Sequence, residues 1–415
     1  MNPTYLERPT GTIDLYGESL HKKRWIEQEM IAVFQSFGYE MLETPMIEYV
    51  ETIARGLHGH EEQLYRMFDR SGRTMALRPE MTTPVARVVA TDLSDMNYPI
   101  RIAYTAKTYQ ADDGRLHEPV EMTQAGVELI GDASPDADAE VIALMATALR
   151  SLGIEHFRFA IGHMGYLRAM LAPLSEGLQV ALRKALVARD LVHYEQILDG
   201  EVGLNSEWLS RLKEFPRIRG GIEAIAIARE LALDERAKQA CDEWEELFAV
   251  LEAHGVADVT QVDLGLYLNH EYYTGIVIEG YAEALGAPIC FGGRYDGLLE
   301  QFGRKAPATG CVTHIERLLK VTSHVVEEAM QIHLCYLTEH RKQTFAFADY
   351  LRLRGYAVAT SRAECNDDID VTCGRANARC FGEFDEAGQL KTKDRLLKQM
   401  WEYYLSCGVG SSDRR

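Results

Sequence analysis

A chain of 415 residues is too long for one ordinary domain, and 47% hydrophobic residues are enough to bury a large core. Its formal net charge of −19 repels a phosphate backbone, and Lys and Arg form no basic stripe, so we expect no nucleic-acid partner. The eight cysteines show no CxxC pair, which is typical of reduced thiols. Because the chain has no signal-peptide pattern and no apolar window of membrane length, we expect a cytoplasmic protein without a membrane partner.

The first elements along the chain are a helix, short strands and a second helix. Apolar residues at helical spacing predict an amphipathic helix over residues 19–37. Residues 39–51 predict an extended segment that contains a proline, and residues 65–78 predict a hairpin around Ser-Gly. The next helix has Glu80 and Thr82 at its first turn, where a carboxylate can complement the helix dipole without any other role.

Residues 98–131 contain two strand-like runs around a polar loop, and the second run alternates with a period of two. One face of that strand carries Val120, Met122, Gln124, Gly126, Glu128 and Ile130. The other face carries Ala125, Val127 and Leu129, which we expect to lie in the core. A Gln and a Glu separated by a glycine on one face leave room for a small ligand. The alternative is an antiparallel sheet with one solvated face.

The middle of the chain predicts a strong helix, a strand and then a helical block. The helix covers residues 136–152 and can be capped by Asp136 or Asp138. After an alternating strand, residues of about 164–255 are helical throughout, between two strand-rich regions. We therefore interpret this block as an insertion.

Polar residues after position 325 indicate a domain boundary, which divides the chain into residues 1–325 and 330–415. The second part contains a strand, a helix, a strand, a poorly patterned stretch and a final helix. This order predicts a small C-terminal α/β domain.

Signatures of several enzyme classes are absent, including the GxxxxGK[ST] phosphate loop, GxGxxG, GxSxG and HExxH. The string LHGHEEQ lacks the spacing of ligands on one helix face and predicts a solvated loop. The isolated histidines are predicted to be structural, namely His117, His270 and His314. The sequence thus predicts no metal and no cofactor, and leaves a candidate pocket at Glu80, Gln124, Glu128 and Tyr273.

The order of the segments resembles histidyl-tRNA synthetase, a class II aminoacyl-tRNA synthetase, along roughly residues 8–320. The matching segments are RPTGTIDL, GYEMLETPMIEYVE, MFDRSGRTMALRPEMTTPVAR, TQAGVELIG, EYYTGIVIEG, CFGGRYDGL and HIERLL. This resemblance implies an α+β fold, with an antiparallel sheet flanked by helices and with a helical insertion. The residues that match those around the amino group of bound histidine are Glu80, Thr82 and Gln124. Those that match the residues around the imidazole are Glu128, Tyr273 and Tyr295.

The departures from that family affect the nucleotide. The positions of two arginines that handle ATP and histidine in the family are occupied by Gln110 and Leu268. The adjoining loop carries Asp112 and Asp113. Because adenylation requires cationic groups to stabilise negative charge, we expect aminoacylation to be lost. Arg317 occupies the arginine position of the third motif, without an assigned role.

A synthetase-like chain that keeps the amino-acid pocket but not the nucleotide site resembles the regulatory subunits of ATP phosphoribosyltransferase. That resemblance implies a non-catalytic chain in a hetero-octamer with short-form catalytic subunits, and a homodimer through the synthetase-like core. It also implies that the chain is required for the first step of histidine biosynthesis and that L-histidine is the feedback inhibitor. Histidine would order neighbouring segments such as the loop at residues 114–119. The alternatives are an active histidyl-tRNA synthetase and a nucleic-acid-binding paralogue.

Overall fold

The computed structural model describes residues 6–57, 61–111, 119–201, 205–268, 272–324, 331–362, 380–385 and 387–407. It divides into two compact units, Met1–Val325 and Val326–Arg415. Some predictions fall outside the described residues, namely those for His58, His60, Asp112, Asp113, His117 and His270 and for the loop at residues 114–118.

The helices of the first unit flank a large sheet. In chain order they are α1 (Gly17–Ser36), α2 (Val50–Leu57), α3 (Thr82–Ala90), α4 (Pro135–Ser151), α5 (Met164–Leu171), α6 (Glu176–Val187), α7 (Leu191–Asp199), α8 (Ser206–Glu214), α9 (Glu223–Leu231), α10 (Glu235–Ala253) and α11 (Ile315–Val321). The strands are β1 (Glu40–Met41), β2 (Ile47–Tyr49), β3 (Arg66–Phe68), β4 (Thr74–Leu77), β5 (Ile100–Tyr109), β6 (Glu121–Ile130), β7 (Phe157–His163), β8 (Arg219–Gly220), β9 (Thr260–Asp263), β10 (Ile276–Ala282), β11 (Pro288–Arg294) and β12 (Ala308–His314).

Within the described residues, nine strands form the main sheet in the order β1-β5-β6-β12-β11-β10-β7-β9-β8. Neighbouring strands pair antiparallel except β1 with β5 and β7 with β9, which are parallel. A separate antiparallel sheet has the order β2-β4-β3 and contains the predicted hairpin. The long pairing of β5 with β6 makes the segment at residues 98–131 the second and third strands of this sheet, between β1 and β12.

The two faces of β6 enter two different cores. Ala125, Val127 and Leu129 pack into a cluster that includes residues of α1 and α4, which confirms the prediction for this face. On the opposite face, Ile130 lies in a second cluster with residues of α3 and β10. The alternative of a solvated face is therefore wrong, because α3 and distant aromatic segments bury that face as well.

Two details of the middle region differ from the prediction. Asp138 does not cap α4, because its carboxylate accepts a hydrogen bond from Arg294 Nε at 2.9 Å. Arg294 also donates to the carbonyls of Asp132 at 3.0 Å and Ser134 at 2.9 Å, and so joins the end of β11 to the start of α4. The helical block is interrupted by β8, since Pro216 and the Gly220–Gly221 pair do not continue a helix.

The second unit has its own small core. Its strands are β13 (Gln331–Tyr336), β14 (Ala357–Arg362), β15 (Cys380–Phe384) and β16 (Leu390–Lys391), and its helices are α12 (Arg341–Arg352) and α13 (Arg395–Ser406). The strand order is β14-β13-β15-β16, with β13 parallel to both of its neighbours. Phe347 and Trp401 pack edge-to-face at 4.9 Å between ring centroids, in a core closed by both helices. The predicted α/β character is observed, although β15 and β16 were not predicted.

Candidate functional site

The candidate site lies on the polar face of β6, between β5 and β12. Tyr104 of β5 pairs opposite Gly126, and Gly310 of β12 pairs opposite Glu128. The start of α3 contributes Thr82 to the same face through a direct hydrogen bond to Glu128. The sheet register therefore brings together residues that are far apart in the chain.

Glu128 is at the centre of this site and is 2% exposed. Its Oε1 accepts hydrogen bonds from the hydroxyls of Thr82 at 2.8 Å and Tyr104 at 3.2 Å, and its Oε2 accepts from the Tyr295 hydroxyl. Burial raises the pKa of Glu128 to about 7, although the three hydroxyls lower it, and the nearby charge of Glu80 raises it further. Within the described residues no lysine or arginine pairs with this carboxyl group.

Two glycines make the space that this arrangement needs. A Cβ atom at Gly126 would lie 2.7 Å from the Tyr104 hydroxyl oxygen and 2.9 Å from the carbonyl oxygen of Cys311. A Cβ atom at Gly310 would lie 1.9 Å from Glu128 Oε2. Both positions thus require glycine for a close approach of side chain and backbone.

The start of α3 supplies a second carboxylate. Both oxygens of Glu80 accept the backbone N–H of Thr83 at 3.1 Å, so this side chain stabilises the first turn of the helix. Burial raises the pKa of Glu80, while its hydrogen bonds to Thr82 and Thr83 lower it. The sequence predicts that this carboxylate only complements the helix dipole, whereas in the structure it also accepts hydrogen bonds from the first turn and adds negative charge beside Glu128.

Besides Tyr104, three other tyrosines line the site. The ring of Tyr272 lies 4.7 Å from that of Tyr273 and 5.9 Å from that of Tyr295, measured between centroids. Arg168 of α5 donates to the carbonyl of Tyr273 at 2.7 Å and holds this segment in place. Burial raises the pKa of all three hydroxyls, so they remain protonated at neutral pH. They can donate hydrogen bonds to acceptors and also accept them.

Gln124 lies four residues before Glu128 on the same face of β6 and is 5% exposed. It pairs across the sheet with His314, the last residue of β12, and its Nε2 lies 3.4 Å from His314 Nε2. Burial and the positive charge of Arg317 lower the pKa of His314 to about 3, so its imidazole is neutral. The sequence predicts a structural histidine at this position, and the structure adds that His314 contacts the predicted site residue Gln124.

The two positions at which the synthetase resemblance predicts the loss of an arginine hold residues with contacts inside the fold. Gln110 follows β5 and donates from Nε2 to the carbonyl of Pro79 at 3.2 Å. Leu268 is 9% exposed and packs in the apolar cluster that includes Tyr273 and Tyr295. Neither side chain offers a positive charge to an anionic ligand.

Arg317 is held by α11 near the Gln124 end of the site. Its guanidinium carbon lies 5.0 Å from the centroid of the Phe291 ring, and its Nη1 donates to the carbonyl of Pro288. The Phe291 ring also contacts His314, with 5.5 Å between ring centroids. Arg317 thus has structural contacts and places a positive charge beside His314.

Sequence reasoning missed Tyr104 and Tyr272, and it did not place His314 beside Gln124. The alternation of β5 could have placed Tyr104 on the face of the site, but its contact with Glu128 depends on the register with β6. The register of β12 with β6 likewise decides that His314 faces Gln124. A single sequence gives neither register.

In the described ranges, no group of three His, Cys, Asp or Glu side chains is placed to hold a metal ion. The helices among these residues include none with the length and apolar character needed to cross a membrane.

Comparison with known proteins supports the assignment of the fold. The sequence profile of histidyl-tRNA synthetase matches residues 11–318. The crystal structure of histidyl-tRNA synthetase from Nostoc sp. PCC 7120 has a TM-score of 0.74 at 20% identity, and covers 96% of this chain and 99% of that one. The main unit therefore has a class II aminoacyl-tRNA synthetase-like fold.

Relatives with higher sequence identity are named as regulatory subunits of ATP phosphoribosyltransferase. The ATP phosphoribosyltransferase regulatory subunit of Halalkalibacterium halodurans is 38% identical over 373 residues, which are 89% of this chain and 94% of that protein. A crystal structure from Bacillus halodurans, described as an ATP phosphoribosyltransferase regulatory subunit/histidyl-tRNA synthetase, has a TM-score of 0.81 at 37% identity. It covers 92% of this chain and 98% of that one. This chain belongs to the family of ATP phosphoribosyltransferase regulatory subunits, which is related to histidyl-tRNA synthetase.

Proposed function

We propose that this chain is the non-catalytic regulatory subunit of ATP phosphoribosyltransferase and that its synthetase-like site binds free L-histidine as the feedback inhibitor. The observation that carries the histidine site is the buried Glu128 carboxyl group with three hydroxyl donors and no paired cation among the described residues. The names of its relatives support the regulatory role in the first step of histidine biosynthesis.

The chemistry of the Glu128 end suits an imidazole. A carboxylate accepts a hydrogen bond from a ring N–H, and a tyrosine hydroxyl can satisfy the other ring nitrogen. Because Glu128 lacks a paired cation, an imidazolium would supply the missing charge. Glu80 lies close enough for its charge to act on Glu128, so the site also favours the ammonium group of an amino acid.

The same residues do not suit adenylate formation. Transfer of a nucleotidyl group requires positive charge at the phosphates. Gln110 and Leu268 stand where the synthetase family has arginines, and both are engaged in contacts within the fold. Loss of one such group typically raises a reaction barrier by about 3–4 kcal/mol. We therefore expect the chain to bind the amino acid without activating it.

The proposed assembly is a hetero-octamer with short-form catalytic subunits, in which regulatory chains pair through the synthetase-like unit. Several large apolar side chains around β1–β3 are exposed and could be covered in such a dimer, namely Met41, Met46, Ile47 and Phe68. Histidine at the site would bias the assembly toward a less active arrangement. Linkage then requires that ligands of the active state weaken histidine binding by the same factor.

Calorimetry of the purified chain, first with L-histidine and then with ATP, tests the histidine site. We expect histidine to bind without ATP, and we expect no histidine-dependent exchange of pyrophosphate into ATP. Such exchange would instead identify an active synthetase, and steeply salt-dependent RNA binding would identify a nucleic-acid-binding paralogue. Absence of histidine binding would refute the site.

The partner is tested separately by co-elution with a short-form catalytic subunit. We expect the mixed complex to be more active than the catalytic chain alone and to be inhibited by histidine. A catalytic chain that gains neither activity nor inhibition from this protein would refute the regulatory role.

A further inference from the structure

The Gln124–His314 pair has polar atoms that the protein does not satisfy. Both side chains are more than nine-tenths buried, at 5% and 8% exposed. Among the described residues, Gln124 Oε1 and His314 Nδ1 have no hydrogen-bond partner. Buried polar atoms are nearly always paired, and leaving one unpaired costs about 1–3 kcal/mol. Two such atoms on neighbouring strands are therefore candidates for contact with a ligand.

The contact between the two side chains determines what each atom offers. Gln124 Nε2 can only donate, so His314 Nε2 must accept across the 3.4 Å that separates them. Since His314 is neutral, its one proton is then on Nδ1. The pair consequently presents an N–H donor on His314 and a carbonyl acceptor on Gln124. This combination matches a carboxylate and an ammonium group.

The pair lies at the opposite end of the site from Glu128. Gln124 and Glu128 share one face of β6 and are four residues apart, which corresponds to about 13 Å along a strand. Gly126 lies between them, and the Tyr104 hydroxyl approaches the strand where a side chain would project. A ligand that contacts both ends must therefore lie beside the Tyr104 hydroxyl.

The charges at the two ends differ in the way that such a ligand requires. Glu80 and Glu128 give the part of the site away from His314 a negative character. At the other end Arg317 brings a positive charge close enough to act on His314, and the Phe291 ring packs against both side chains. A carboxylate is therefore favoured beside His314 and disfavoured beside Glu128.

We infer that His314 Nδ1–H binds the α-carboxylate of the ligand, beside Gln124, whose Oε1 is free among the described residues for the α-ammonium group that the resemblance places there. This inference rests on the proposed histidine site and goes beyond it. His314 thus binds the anionic group of the ligand, which the uncharged side chains of Gln110 and Leu268 do not bind. It restricts the site to a complete amino acid, because a ligand without the carboxylate leaves the His314 donor unsatisfied.

Two substitutions of His314 test the contributions of its two ring nitrogens separately. His314→Asn keeps a polar atom near the position of Nδ1, whereas His314→Gln keeps one near Nε2, where it still meets Gln124. Calorimetry of both full-length variants with L-histidine and with histamine, which lacks the carboxylate, measures the contribution of each position. We expect His314→Gln to weaken histidine binding about tenfold, which is the effect of one hydrogen bond. Histamine binding should change less than about twofold, and His314→Asn should retain most of the affinity for histidine.

The outcomes distinguish this inference from the proposed function. Equal losses for histidine and histamine in His314→Gln, or no loss for either, would overturn the role of His314 and leave the histidine site intact. A larger loss of histidine affinity in His314→Asn than in His314→Gln would also overturn it. If the unsubstituted chain binds no histidine, the proposed site fails, and this inference fails with it. Thermal unfolding of both variants checks that they are folded.

Discussion

The two ends of the polar face of β6 are organised in different ways. At the Glu128 end, three hydroxyls from three distant segments of the chain satisfy the carboxyl oxygens. At the Gln124 end, one contact with His314 leaves two buried atoms without a partner among the described residues. The first end is formed by the protein itself but lacks a countercharge, whereas the second is incomplete in its hydrogen bonds. In our proposal one ligand supplies the countercharge at the Glu128 end and the missing hydrogen bonds at the Gln124 end.

The largest effect expected from this difference is on the pH dependence of stability. The pKa of Glu128 is raised from 4.5 to about 7 in the folded protein, so the folded state binds more protons than the unfolded state between these values. The carboxyl group therefore lowers stability above pH 7, and this loss is relieved as the pH falls toward 4.5. We expect Glu128→Gln to be more stable than the unsubstituted chain at pH 8, by about 3 kcal/mol, and nearly equal at pH 5.

Denaturant unfolding at several pH values measures this effect in the ligand-free chains. Glu155→Gln, at an exposed position, is the matched control and should follow the unsubstituted chain. If the stability difference between Glu128→Gln and the unsubstituted chain does not grow from pH 5 to pH 8, Glu128 is not a carboxyl group with a raised pKa.

The second prediction concerns histidine affinity. Glu128→Gln keeps the shape of the side chain but removes the charge that we propose faces the imidazole. A hydrogen bond to a charged group is worth about 1.5–3 kcal/mol, so we expect affinity to fall about 10- to 150-fold at neutral pH. Calorimetry of the variant and of Glu155→Gln checks this value. An unchanged affinity, or unchanged inhibition of the assembled enzyme, would place the effector site elsewhere.

The third prediction tests the close approach of Gly310 to the carboxyl group of Glu128. A Cβ atom at Gly310 would clash with Glu128 Oε2 and would lie 2.6 Å from the carbonyl oxygen of Val127. Because backbone at the centre of a sheet cannot move freely, we expect Gly310→Ala to lower the free energy of unfolding by about 1–3 kcal/mol. It should also weaken histidine binding by displacing Glu128. Gly297→Ala is the control, since its Cβ would meet no atom within 4 Å among the described residues.

Thermal and denaturant unfolding of the two alanine variants give the comparison. Equal stability of Gly310→Ala and Gly297→Ala would mean that the strands at this point adapt to a methyl group. The carboxyl group of Glu128 would then be less rigidly held than its contacts indicate.

Much of this arrangement follows from local sequence patterns. The alternation of β6 predicted that Ala125, Val127 and Leu129 enter the core while Gln124 and Glu128 face the other way. The burial of that second face was not predictable in this way, because it depends on α3 and on aromatic residues far along the chain. Packing between distant segments has no period in the sequence.

The elements that were missed have similar causes. The strand β16 has two residues, too few to show an alternation, and β15 contains a glycine within a short strand. His314 ends a strand and lies opposite Gln124 only because of the β6–β12 register. Local pattern thus predicts which way a side chain points on its own strand, and tertiary structure decides what it meets.

The smallest effect is expected at Gln110, where the resemblance to the synthetase family predicts the loss of an arginine. Gln110 donates one hydrogen bond of 3.2 Å to the carbonyl of Pro79 and is partly exposed, so its contribution is structural. We expect Gln110→Ala to lower the free energy of unfolding by about 0.5–1.5 kcal/mol and to change histidine affinity less than about twofold. Calorimetry and denaturant unfolding of this variant measure both quantities. A loss of affinity as large as that of Glu128→Gln would show that ligand recognition extends to Gln110, and the proposed restriction of the site to the polar face of β6 would then be wrong.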